Sequence, residues 1–233
     1  MRVVRAKGEV AQSAILDDAA LAVYRTRGYV VLPGLTTSAE LALFRTVYSR
    51  LRKTAPKPRR EMDRDGNLSL EKLPSPETAC SELGKTAFHH RALATVADLL
   101  GVSADRLTIH GLFLDKPAHA AGTVWHRHST QNRPARIVDS VTLWTPLDDV
   151  ELHNGCLQFL PGSHAETASS HRIEPVVDDA AIDPDRVAPC PMAAGDVVLI
   201  HDNVIHGGLP NCSSQARIAY ALYCCYPADR RLP

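Results

Sequence analysis

Two histidines two residues apart, in Trp125-His126-Arg127-His128, are the best-placed residues of this sequence for chemistry. On a β-strand, residues spaced this way point to one face. Neutral imidazoles on one face form a two-ligand clamp for a divalent transition metal. A third ligand has to come from elsewhere in the fold. His206, which follows the apolar run Val197-Val198-Leu199-Ile200, is the best candidate. Taken alone, the pair also fits ordinary surface or core histidines, so the surrounding sequence has to decide.

The elements that must position these residues fall into two halves. In the first, Leu16, Ala19, Ala20, Val23 and Tyr24 recur at helical spacing behind Asp17 and Asp18, and Gly28 stops the helix. Tyr29-Val30-Val31-Leu32 reads as a short strand. Thr37 with Glu40 three residues on forms a capping box for a second helix, with Leu41, Phe44, Tyr48 and Leu51 on its apolar face. Residues 52–79 change character: a basic stretch with Pro56 and Pro58, then Asp65-Gly66-Asn67, then Pro74 and Pro76. This segment reads as a solvated connector or a lid over an active site, with a strand at 68–73. A third helix spans about 86–100 and stops at Gly101. Its His89-His90 pair reads as surface.

From Leu107 the period changes. Residues 107–114, 138–144, 155–160, 197–201 and 217–226 are short runs rich in β-branched, aromatic and leucine residues, separated by turn signals such as Asn154-Gly155 and Pro161-Gly162-Ser163. Such punctuation suggests a jelly roll or another antiparallel barrel. Residues 165–192 read as a long polar loop.

Composition narrows the function classes. With 233 residues and 45% hydrophobic content, one domain over the whole chain is expected, 1–106 mostly helical and 107–226 the barrel core. Net charge is zero, and nothing in it suggests a nucleic-acid or anionic-membrane partner. No apolar run is long enough to span a bilayer, and no apolar stretch follows residues 1–10 as a secretory signal requires. Six cysteines without C-x-x-C spacing read as reduced thiols of a cytoplasmic protein.

Pro117, Trp125-His126-Arg127-His128, the 141–149 segment Val-Thr-Leu-Trp-Thr-Pro-Leu-Asp-Asp, Asn154-Gly155-Cys156-Leu157, Pro161-Gly162-Ser163-His164, Gly195-Asp196-Val197-Val198, His206-Gly207-Gly208, Asn211 and Arg217 follow one another in an order and spacing that resembles the phytanoyl-CoA dioxygenase family. The resemblance spans nearly the whole chain. It implies a mainly β fold, a double-stranded β-helix (cupin-like jelly roll) with flanking N-terminal α-helices. It also implies a mononuclear non-haem Fe(II) centre, with His126 and His206 as ligands and His128 standing at the position of the remaining one, and 2-oxoglutarate and O2 as cosubstrates. Arg217 matches the family's cosubstrate arginine, a cationic fork for the far carboxylate. Trp144 and Thr108 match pocket-lining positions, and Lys72 matches a cosubstrate-contacting lysine. Core packing for Trp144 and a plain strand role for Thr108 compete with those roles. The implied reaction is oxidation of an aliphatic C–H bond of a small molecule, and the compact chain suggests bacterial specialised metabolism. His164 belongs to a structural turn, and His201 reads as near the pocket but not a ligand.

Two positions depart from the family pattern. Where relatives have an aspartate ligand, this chain has His128. His128 either completes a neutral three-histidine site, or swings away to leave two protein ligands as in related halogenases, or marks a degenerate site. The first option also opens the reading of a three-histidine dioxygenase that does not use 2-oxoglutarate, and the last that of a non-catalytic small-molecule-binding jelly roll. Relatives often carry serine at position 208, which helps hold the far carboxylate. With Gly208 that hydrogen bond comes from elsewhere or is absent.

Overall fold

The computed structural model describes residues 16–54, 57–128, 140–166 and 176–226. Helix α1 (Asp18–Arg27) starts where the Asp17 carboxylate accepts the Ala20 N–H at 2.7 Å and ends at Gly28, whose φ of 81° suits glycine. Strand β1 (Tyr29–Leu32) follows. Helix α2 (Ser38–Thr54) opens with the expected capping box: Thr37 N–H donates to Glu40, and Glu40 N–H donates to the Thr37 hydroxyl. Glu40 also accepts the Phe88 N–H at 2.6 Å and Arg91 Nη2 at 3.0 Å, which ties α2 to helix α4 (Ala87–Leu100).

Residues 52–79 are not a free connector. They hold the hairpin β2 (Arg59–Met62) and β3 (Leu68–Pro74) and a single helical turn, α3 (Pro76–Ala79). The remaining strands are β4 (Thr108–Lys116), β5 (Thr123–His126), β6 (Ser140–Pro146), β7 (Leu157–Phe159), β8 (Ala188–Cys190), β9 (Val197–His201), β10 (His206–Gly208) and β11 (Arg217–Cys225). They form a seven-stranded sheet, β1-β9-β6-β11-β4-β3-β2, and a four-stranded sheet, β5-β10-β7-β8, antiparallel throughout. This is the mainly β jelly-roll class that the punctuation of the second half predicts. Of the 165–192 loop, the described part carries two 3-10 turns and β8; the stretch 167–175, with His171, lies outside the described residues, as do residues 1–15.

The seven-stranded sheet has a helix-covered face and an inner face, and strand alternation sorts side chains between them. On β11, Ile218, Tyr220, Leu222 and Cys224 join Phe44, Phe88 and Phe113 in the core beneath the helices. Phe44 and Phe113 pack tilted against Tyr220, with ring centroids at 4.7 and 4.9 Å. Burying each such large side chain is worth about 1.5–3 kcal/mol. Ala219 and Ala221 face the other way, into a second core with Leu114, Trp144, Phe159, Val198 and Ile200. Arg217 continues that inward set. His89 is a correction to the surface reading: it is 2% exposed, its Nδ1 bonded to the Thr86 hydroxyl and its Nε2 to the Tyr220 hydroxyl.

Candidate metal centre

His126 ends β5 and stands directly opposite His206 of β10, so the pairing of the two strands delivers two imidazoles to one face. Their ring centroids are 4.3 Å apart. His128 lies two residues past the end of β5. Its N–H donates to the Asp202 carbonyl at 2.9 Å, and Arg127 Nε donates to the Asn203 carbonyl at 3.1 Å. These bonds carry the strand direction onward and return the His128 ring to the same face. One ligand nitrogen from each of the three residues lies within 4.8 Å of the other two.

The hydrogen bonds behind the rings fix their chemistry. His126 Nδ1 bonds the Val124 carbonyl at 2.9 Å, and His206 Nδ1 bonds the Val204 carbonyl at 3.0 Å. A carbonyl only accepts, so both Nδ1 atoms carry the proton and both Nε2 atoms present lone pairs. His128 Nδ1 faces the Thr142 hydroxyl at 3.0 Å, a partner that either accepts or donates. Burial lowers the pKa of all three rings, and that of His128 and His206 falls well below the usual imidazole value. Neighbouring imidazoles deepen the effect on His128 and His206. The rings are therefore neutral at pH 7, the form that binds metal. His128 Nε2 and His206 Nε2 are 3.1 Å apart. With the His128 proton on Nδ1 the two lone pairs would repel at that distance, and a cation bound by both removes the conflict. Three neutral nitrogen donors suit Fe(II) among other divalent first-row ions.

The other sequence-predicted residues divide. Arg217 is 5% exposed, and its Nε and Nη1 are buried without a hydrogen-bond partner among the described residues. Its guanidinium lies 5.3 Å from the Trp144 ring centroid, a cation–π contact. Burial lowers its pKa to about 10, Asp115 opposing, so it stays charged at pH 7. An orphaned buried cation of this kind fits a carboxylate ligand. Lys72 lies opposite Leu114, on the inner face, and pairs with Glu61 of β2. Its charge adds a last, smaller contribution to the lowered pKa of all three histidines. Thr108 is not brought to the site. It is exposed, pairs with Cys225, and hydrogen-bonds that residue's carbonyl at 3.3 Å, while Arg217 pairs with Lys116. The two ends of that ladder are about 27 Å apart at 3.3–3.4 Å per residue. His164 and His201 meet at a tilt beside α1, their ring centroids 4.8 Å apart, with His164 Nε2 against the Arg25 carbonyl, and neither joins the three histidines.

Sequence reasoning missed Thr142, Glu61, Thr123 and Lys116. Thr142 was within reach, since it precedes Trp144 by two on the same strand and shares its face.

The sequence profile of the phytanoyl-CoA dioxygenase (PhyH) family matches residues 24–219. The chain is 26% identical to phytanoyl-CoA dioxygenase domain-containing protein 1 of Bos taurus over 183 residues, covering 69% of this chain and 61% of that protein. It is 30% identical to the Rattus norvegicus protein of that name over 128 residues, 50% of this chain and 44% of that one. The chain thus spans less than two thirds of these relatives' length. Among solved structures, EvdO2 from Micromonospora carbonacea var. aurantiaca, complexed with 2-oxoglutarate, is similar with a TM-score of 0.75 and 26% identity over 94% of both chains. The non-heme alpha ketoglutarate dependent carbocyclase SnoK of nogalamycin biosynthesis is similar with a TM-score of 0.76 and 25% identity over 90% of this chain and 84% of that one. On the ordered motifs, the jelly roll and a profile match across most of its length, this chain belongs to the phytanoyl-CoA dioxygenase family.

Proposed function

We propose that the protein is a non-haem Fe(II), 2-oxoglutarate-dependent oxygenase with a three-histidine centre, acting on an aliphatic C–H bond of a small molecule in bacterial specialised metabolism. His126, His128 and His206 hold the iron. Arg217 takes the far carboxylate of 2-oxoglutarate, Trp144 walls it, and Lys72 takes its other carboxylate. When bound, iron with 2-oxoglutarate and O2 supplies an oxidant for unactivated C–H bonds, with the oxo acid leaving as succinate and CO2. The chain's own contribution is positioning: two carbonyls fix the proton on His126 and His206, the inner core excludes water around Trp144, and Arg217 orients the oxo acid.

The observation that carries this reading is the orphaned Arg217 guanidinium, buried on the inner face of the barrel that also holds the three histidines. A three-histidine oxygenase without 2-oxoglutarate has no use for that cation. The observation on its side is the ligand set itself, neutral at every position. Succinate formation from 2-oxoglutarate in air, dependent on Fe(II) and lost in His126→Ala and His206→Ala, is the expected result. Iron binding with no succinate, whatever the substrate offered, overturns it.

A further inference from the structure

Phe159 of β7, Thr142 of β6 and Tyr223 of β11 stand around the three histidines. Phe159 faces His206 with ring centroids 5.8 Å apart and offers no polar group. Thr142 and Tyr223 are directly opposed across the β6–β11 ladder, so they share a face, and both meet His128. The Thr142 hydroxyl is used, at 3.0 Å from His128 Nδ1. The Tyr223 ring centroid lies 5.3 Å from that of His128, with the ring planes at 56°. Among the described residues the Tyr223 hydroxyl has no hydrogen-bond partner.

Burial runs in one direction along the inner face of the large sheet. On β11, Arg217, Ala219 and Ala221 are buried, while Tyr223 and Cys225 are partly exposed. On β4 beside it, Lys116 and Leu114 are buried, Leu112 is partly exposed, and His110 and Thr108 are exposed. The barrel therefore closes at the Arg217 end and opens at the Tyr223 end. Along β11 the two residues are about 20 Å apart at 3.3–3.4 Å per residue.

We infer that Tyr223 is a further catalytic residue: its hydroxyl donates a hydrogen bond to the small acceptor that takes the metal position facing the open end, water at rest and O2 in turnover. This rests on the proposed iron centre and cosubstrate. An oxo acid gripped by Arg217 reaches the metal from the closed end, which leaves the open end to that acceptor. A largely buried tyrosine hydroxyl ordinarily finds a partner. A phenol is protonated at pH 7 and so has a proton to give. The ring side of Tyr223 packs against the inner core, which holds the hydroxyl in place beside His128.

Anaerobic titration of the protein, loaded with Fe(II) and 2-oxoglutarate, with nitric oxide tests the inference. Electron paramagnetic resonance reads the affinity, and infrared absorption reads the N–O stretch. Tyr223→Phe keeps the ring against His128 and removes the hydroxyl alone. It is expected to weaken nitric oxide binding about two- to tenfold, the size of one hydrogen bond, with Fe(II) affinity unchanged. The N–O stretch is expected to shift in D2O for the wild type and not for Tyr223→Phe. An equal fall in Fe(II) affinity makes Tyr223 a support of His128 and overturns the inference. Unchanged nitric oxide affinity and stretch in Tyr223→Phe overturn it too. Wild-type protein that takes up no Fe(II), or Fe(II) but no 2-oxoglutarate, instead overturns the proposed function, and the inference with it.

Discussion

His128 Nε2 and His206 Nε2 face each other at 3.1 Å inside the protein. Without metal this contact is favourable only if one ring donates. The carbonyl behind His206 reserves its proton at Nδ1, so the donor has to be His128. The metal-free and metal-bound proteins therefore need opposite tautomers of His128, and the Thr142 hydroxyl serves both, donating to Nδ1 in the first and accepting from it in the second.

Thr142→Val removes that adaptable partner. Valine keeps the shape and leaves His128 Nδ1 without a bond. Metal affinity is expected to fall 10- to 100-fold, the usual range for losing the partner of a ligand imidazole, with Thr142→Ser close to wild type. Competition against a metallochromic dye measures it. An affinity unchanged in Thr142→Val contradicts His128 as a ligand.

His128→Asp restores an anionic ligand of the type relatives carry. The centre loses one net positive charge relative to the wild type, so Fe(II) is expected to bind more tightly and to raise the melting temperature further on saturation. Identical melting shifts in the two proteins mean that residue 128 does not touch the metal.

Glu61 and Lys72 form an ion pair on the β2–β3 hairpin, 39% and 27% exposed at their side chains. In the proposed complex Lys72 leaves Glu61 for the cosubstrate. An exposed pair is worth less than about 1 kcal/mol, so Glu61→Gln is expected to tighten 2-oxoglutarate binding a few-fold, and Lys72→Met to weaken it. Calorimetry reads both, and weaker binding in Glu61→Gln removes Lys72 from the cosubstrate's contacts.

Burial lowers the pKa of His201 to about 4, with His164 adding to the effect. The fold keeps this ring neutral, while the unfolded chain takes a proton near 6.5. Its contribution is present above pH 6.5 and is lost as pH falls toward 4, up to about 3 kcal/mol in all. His201→Gln is expected to flatten the fall in urea stability between pH 7.5 and 5 relative to wild type. Parallel curves for the two proteins contradict the assignment.

The local signals in the sequence were strong where the chain makes its own partners. Thr37 with Glu40, Gly28, Gly101 and the strand 197–201 all form what their residue types dictate, because caps and short β-branched runs are decided within a few residues. The three histidines were legible because β-strand spacing and a family-like order agreed on them. What stayed hidden depends on register between distant strands. Thr108 and Lys116 share β4, and only the pairing with β11 puts Lys116 rather than Thr108 beside Arg217. Nothing in the sequence around Lys116 singles it out, and it is the register that sets it, buried, opposite Arg217. His89 was misread for the same reason, since its partner Tyr220 is far along the chain.

The central claim is that His126, His128 and His206 hold iron on which 2-oxoglutarate chelates, with Arg217 gripping its far end. Anaerobic titration of the Fe(II)-loaded protein with 2-oxoglutarate, followed by visible absorption, tests it most directly. The account predicts one iron per chain, a weak charge-transfer band on adding the oxo acid, and, in Arg217→Ala, retained iron with the band lost at the same cosubstrate concentration. Stoichiometric iron with no band in the wild type would contradict it.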